Sequence, residues 1–173
     1  MNILFAFIAF LLAAVGAEAS DIDNCANLSG NRAIQACDRI IKSGRYEGTD
    51  LAEAYVNRGQ EYYLKNNYDR AIADITEGLR LDAEIVQGWV NRGNARSAKG
   101  QIEEAIADYT QAIKIDPETA AGYTGRGMEL EKKGDLKGAL ADYKAALAVS
   151  GDYTDKDWAH KQAHERIKAL EKK

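Results

Sequence analysis

With one proline, Pro117, in the whole chain, almost nothing opposes helix. Charged residues at 29 % and hydrophobic ones at 46 % fit an α-helical globular protein and exclude disorder. Basic runs are missing as well. The net charge is −4, and no block of lysine and arginine exists that could track a phosphate backbone. This excludes nucleic acid and, for the same reason, an anionic membrane surface as partners. Catalytic signatures are absent: there is no GxSxG and no glycine-rich phosphate loop, and the acidic residues fall at helical surface spacings with lysine nearby. No enzyme and no cofactor are expected. Histidine is limited to His160 and His164, whose i, i+4 spacing shares a helix face but lacks a third ligand, so no metal is expected.

Cysteine is scarce too, and its two copies gain meaning from the N-terminus. Ile3 to Val15 is an uninterrupted apolar run, followed by Ala17-Glu18-Ala19, an A-x-A cleavage pattern. At about 1.5 Å per residue this run spans roughly 20 Å, short of the ~30 Å hydrocarbon core. Residues 1–19 are therefore expected to be a cleaved secretory signal, although Met1-Asn2 offers no lysine or arginine; an uncleaved anchor is the alternative. The expected location is periplasmic or secreted, without stable membrane insertion after cleavage. Cys25 and Cys37 fall on the mature side. An even count in an oxidising compartment predicts a disulfide, and closing so short a loop is worth roughly 3 kcal/mol on the chain-entropy model. A zinc site would need two further ligands.

What the chain has in abundance is repetition. Arg58-Gly59, Arg92-Gly93 and Arg126-Gly127 recur at one fixed interval. Tyr55, Trp89 and Tyr123 keep that period, as do Ala71, Ala105 and Ala139, then Asp74, Asp108 and Asp142. Ile75, Tyr109 and Tyr143 keep it as well, and so do Gly100 and Gly134. A fixed period in the range of roughly 20 to 50 residues marks a solenoid of stacked units. Apolar residues at helical spacing divide each unit into two helices, with breaks at Asn66-Asn67, Gly100 and Gly134-Asp135. Gly59, Gly93 and Gly127 sit mid-helix, where glycine costs about 1 kcal/mol against alanine, so a neighbouring helix is expected to approach closely there. The arginine and aspartate series, separated by the same offset in every unit, predict repeated ion pairs: Arg58 with Asp74, Arg92 with Asp108, Arg126 with Asp142.

The recurring aromatic, glycine and alanine residues, best matched at Trp89, Gly93, Ala105, Tyr109, Ala112 and Pro117, resemble the tetratricopeptide repeat family. The resemblance covers residues 52 to about 150 and implies an all-α, right-handed α-α superhelix. Three helix-turn-helix units would occupy 52–85, 86–119 and 120–153. Asn31 to Ser43 reads like the second helix of a unit, with Cys37 at the place of Ile75, so 20–51 form an N-terminal arm and a leading half-unit. Residues 154–173 carry Trp158, Ala159, Ala163, Ile167 and Leu170 on one stripe, as a polar-backed cap requires.

The family binds extended peptides or partner helices in a groove lined by the first helix of each unit. That resemblance assigns the groove to Val56, Asn57, Gln60 and Tyr63 in the first unit. It adds Val90, Asn91 and Asn94 from the second, then Thr124 and Met128 from the third, with Leu64, Ser97, Glu131 and Lys132 beside them. Asn57 and Asn91 match a family asparagine whose amide offers donor and acceptor to a ligand backbone; Gly125 stands there in the third unit. The lysine-rich carboxylate clamp of chaperone-binding members is absent in this register. The leading expectation is an exported scaffold, monomeric or weakly self-associating, that holds a protein or peptide partner. The alternative is a structural, self-assembling envelope component without a discrete peptide ligand; a weaker third is a polysaccharide binder using exposed aromatics such as Tyr63.

Overall fold

The computed structural model describes residues 21–150 and 156–172, so the expected signal at 1–19 lies outside the described residues. Among the described residues every regular element is a helix. In chain order these are α1 (helical over 21–27), α2 (Gly30–Ser43), α3 (Gly48–Leu64), α4 (Tyr68–Leu81) and α5 (Val86–Ala98). There follow α6 (Ile102–Ile115), α7 (Ala120–Lys132), α8 (Leu136–Ala148) and α9 (Lys156–Leu170). From α2 onward each helix packs on the next; α3 with α4, α5 with α6 and α7 with α8 form the hairpins. First helices also meet across units, α3 on α5, α5 on α7 and α7 on α9, so α9 takes the place of a fourth first helix. The result is an all-α superhelical stack with a leading half-unit and a capping helix. None of the described helices is long and apolar enough to cross a membrane.

The turn inside each hairpin shows why the period is strict. Asn66, Gly100 and Gly134 hold equivalent places in the three units and have φ of 58°, 75° and 85°. That left-handed backbone ends the first helix, and the next amide reaches back five residues. Asn67 N–H bonds Tyr62 O at 2.8 Å, Gln101 bonds Arg96 O at 2.9 Å, and Asp135 bonds Leu130 O at 2.9 Å. Asn67 and Asp135 then cap the second helix, accepting from the amides of Arg70 and Gly138. Only residues that tolerate positive φ fit at these three points.

The mid-helix glycines answer to large residues of the facing helix. A Cβ on Gly59 would lie 2.5 Å from Ile75 Cγ1, on Gly93 2.7 Å from Tyr109 Cε1, and on Gly127 2.8 Å from Tyr143 Cε1. Ala71, Ala105 and Ala139, all fully buried, complete the close approach. Glycine's helix penalty is thereby exchanged for the burial of a large side chain, Tyr143 and Ile75 at 0 % exposure.

Each arginine of the series braces three helices. Arg58 Nε and Nη2 donate to Asp74 at 2.7 Å each, Arg92 to Asp108 at 3.0 and 2.8 Å, and Arg126 to Asp142 at 2.8 Å each. The remaining Nη1 reaches into the preceding unit: to Asp38 from Arg58, Thr76 from Arg92 and Thr110 from Arg126. The guanidinium carbons stand 5.5, 4.7 and 5.8 Å from the ring centres of Tyr55, Trp89 and Tyr123. Burial alone would lower the Arg58 pKa, but its hydrogen bonds to Asp74 and Asp38 outweigh that and raise it. Asp38 follows Cys37 as Thr76 follows Ile75, so the leading half-unit carries the same brace point.

At the N-terminal end Cys25 and Cys37 are bonded, and both are buried with Ile40 and Ala54. The arm preceding the half-unit is itself helical, with Ile22 packed against this cluster. The bond fastens α1 to α2 only. Reduction, or Cys25→Ser with Cys37→Ser, is expected to lower stability by at most roughly 3 kcal/mol. The loss should be local: hydrogen exchange should rise in α1 and α2 and stay unchanged in α6 to α8.

Candidate functional site

Along each first helix, residues one turn apart have different fates. Val56 packs on Ile75 and Leu79 and against Gly88 of the following unit. Val90 is 2 % exposed in the cluster with Tyr109 and Ala121. Thr124 is 0 % exposed, and its hydroxyl donates to Ala159 O of the capping helix at 3.2 Å. These three expected groove residues are therefore core residues. Their position faces the first helix of the next unit, and α9 supplies that helix for Thr124. Asn91 is also buried, accepting from Gln87 Nε2 at 2.9 Å, and is not among the residues that line the concave cavity. Asn57 is half-buried beside Ile22, Cys25 and Ala26, under the helical arm. Gln60 is half-buried, with Oε1 sealed from solvent.

The remaining three, Tyr63, Asn94 and Met128, come together in an open cavity of about 260 Å³. One turn along from Val90 and Thr124, and two turns along from Val56, the side chains clear the inter-unit seam and face the concave side. Tyr63 from α3, Asn94 and Ser97 from α5, and Met128 and Lys132 from α7 form its sides. Trp158 of α9, 47 % exposed, lines it as well. Glu129, Tyr109, Ala98 and Gly125 complete the lining. Tyr109 donates its hydroxyl to Asn94 Oδ1 at 2.8 Å, which fixes the amide. Burial pushes the Tyr109 phenol up, with the Glu129 carboxylate adding to the shift. The Tyr63 phenol is raised by burial as well, and its ring rests 5.8 Å from that of Tyr68.

Five lining residues fall outside the groove expected from sequence: Ala98, Tyr109 and Gly125, and the two that bring chemistry to it, Glu129 and Trp158. Glu129 holds the place of Glu61 and Ala95 in the earlier units, and all three are buried. The period therefore carries a visible signal, a carboxylate at a place that alanine fills in the second unit. Trp158, expected on the apolar stripe of the cap, turns out of that stripe into the groove. Glu131, expected beside the groove, instead accepts from Tyr143 Oη and Arg166 Nε and ties α9 to α7 and α8. The arginine–aspartate braces do not line the cavity. Among the described residues no group of histidine, cysteine, aspartate or glutamate side chains is placed to hold a metal ion.

Comparisons with known proteins agree on the architecture. A tetratricopeptide repeat model matches residues 52–84, and a TPR repeat model matches residues 93–130. No curated protein sequence matches the chain. Among solved structures, the second TPR domain of human RPAP3, determined in complex with an HSP70 peptide, is 28 % identical with a TM-score of 0.60. The alignment covers 69 % of this chain and 93 % of that one. The Arabidopsis OM64 TPR domain is 24 % identical, TM-score 0.58, over 69 % of this chain and 98 % of its own. The Yersinia enterocolitica type III secretion chaperone SycD, in complex with a peptide of the translocator YopD, is 18 % identical. Its TM-score is 0.65, and the alignment covers 72 % of this chain and 95 % of SycD.

Proposed function

The chain belongs to the tetratricopeptide repeat family, and on that premise we propose that it is an exported protein-interaction scaffold whose concave groove holds a segment of a partner protein. One observation carries this reading. Four successive first-helix positions, on α3, α5, α7 and α9, converge on a cavity whose rim holds Trp158, a large aromatic left 47 % exposed. An exposed tryptophan beside a half-buried tyrosine in a concave site is the composition of an interface hot spot. The peptide complexes of the human and Yersinia neighbours support the same use of the fold. Export rests on the Ile3–Val15 run with Ala17-Glu18-Ala19, and a disulfide suits an oxidising compartment. The reading gives the chain a binding role and no catalytic step.

A photo-crosslinker at Met128, in the groove, should trap a partner segment, whereas one at the exposed Ala107 on α6 should not. Trp158→Ala should weaken capture about ten-fold or more. The melting temperature should stay unchanged, because this ring belongs to none of the core clusters. Equal labelling from both positions, or capture indifferent to Trp158→Ala, would reject the groove as the binding surface.

A further inference from the structure

Resting on that reading of the groove, we propose that its cavity receives a basic side chain, lysine or arginine, of the bound segment, with Glu129 as the anionic partner. Glu129 is 1 % exposed, and its Oε1 accepts from Ser97 Oγ at 2.5 Å and Lys132 Nζ at 2.7 Å. Its Oε2 is buried and has no donor among the described residues. The equivalent carboxylate of the first unit is satisfied from within the chain, since Glu61 Oε2 accepts from the Gly30 amide at 2.6 Å. A buried carboxylate oxygen without a donor is a costly arrangement that an entering N–H group relieves. Carboxylates accept up to about four hydrogen bonds, so two places on Glu129 stand open.

Lys132 does not cancel this. Its side chain is 45 % exposed against 2 % for Glu129, so the positive charge sits at the wet rim and the negative charge inside. Charge is screened at the rim and felt in the cavity. The walls agree with a cation too: Tyr63 and Trp158 present aromatic surface, and a guanidinium or ammonium gains from such faces. Met128 and Ala98 suit the aliphatic stem of the same side chain. An acidic side chain would bring a second carboxylate against Glu129 with one exposed lysine to offset it.

The test uses blocked amino acids as probes on the full chain: N-acetyl-argininamide, its neutral isostere N-acetyl-citrullinamide, and N-acetyl-glutamic diamide. Titration is followed by NMR shifts of the Trp158 indole and the Ser97 amide. Argininamide is expected to bind about ten-fold more tightly than citrullinamide, the worth of one charge-assisted hydrogen bond. Glu129→Gln should abolish that preference. Lys132→Met, which removes the competing cation from the surface, should raise argininamide affinity by about three-fold. If Glu129→Gln does not fold, the citrulline comparison and Lys132→Met decide the matter alone. Citrullinamide binding as well as argininamide, tighter binding of the glutamic probe, or weaker argininamide binding in Lys132→Met would each overturn the assignment. Crosslinking from Met128 that persists through such a failure would leave the groove standing and remove only its preference for a basic side chain.

Discussion

Asp108→Ala is expected to destabilise the protein by about 3–5 kcal/mol, the loss associated with stripping the partner from a buried charge. Asp142→Ala and Asp74→Ala should cost progressively less. The three aspartates hold equivalent places in the repeat, so a composition argument would give them equal weight. Their surroundings differ. The Asp108 side chain is 2 % exposed, that of Asp142 9 % and that of Asp74 14 %. Asp108 also receives two arginines, Arg92 through Nε and Nη2 and Arg96 through Nη1 at 2.8 Å. Removing it leaves the Arg92 guanidinium, 10 % exposed, with Thr76 and the face of Trp89 as its remaining company. Water can reach and resolvate the end braces more readily than the central one. At roughly 2–4 °C per kcal/mol for a chain of this size, the central change should lower Tm by about 10 °C. A companion change separates charge from packing: Arg92→Met with Asp108→Leu should recover much of the loss, since that brace then leaves no buried charge of its own unpaired. Thermal melts giving Asp108→Ala the same small loss as Asp74→Ala would refute this gradient.

The gradient also shows what the sequence could and could not reveal. Period and residue size are enough for the fold, because Gly59 opposite Ile75 and Gly93 opposite Tyr109 are choices that any stacked hairpin must make locally. The ion pairs are legible for the same reason, as a fixed offset between arginine and aspartate inside one unit. The groove is not. Whether residue 56 or residue 63 faces the ligand depends on how one unit leans on the next, and that tilt is a property of the interface between units. Val56, Val90 and Thr124 are therefore placed by sequence in the groove when they lie one or two helical turns away, in the seam that the next first helix fills. Trp158 is hidden for a related reason: α9 lies outside the period, so its rotation about its own axis is set by Thr124, Glu131 and Arg166 contacts and not by repetition.

The largest consequence of those inter-unit contacts falls on Gly125. In the first two units this place holds Asn57 and Asn91, so a consensus-minded substitution would be Gly125→Asn. Consensus changes commonly stabilise, and asparagine is the better helix former. Here the opposite is expected, a loss of about 3 kcal/mol at the upper end of the overpacking range, together with loss of probe binding in the groove. A Cβ at Gly125 would stand 2.5 Å from Tyr109 Cε1 and 2.6 Å from Cζ, while Gly93 confines the same ring at 2.7 Å. The ring has no room to retreat, and its hydroxyl is pinned to Asn94. Any shift of Tyr109 displaces Asn94 and so deforms the cavity wall. In the preceding unit Ile75 stands at the place of Tyr109 and Asn91 at the place of Gly125, so a smaller residue and an asparagine occur together. The two positions should thus be coupled: Tyr109→Ile should restore most of the stability lost by Gly125→Asn, though not the groove, because the bond to Asn94 is gone. A double-mutant cycle measured by chemical denaturation reads that coupling directly. Additive losses from the two changes would mean that the glycine is there for a reason other than the tyrosine ring.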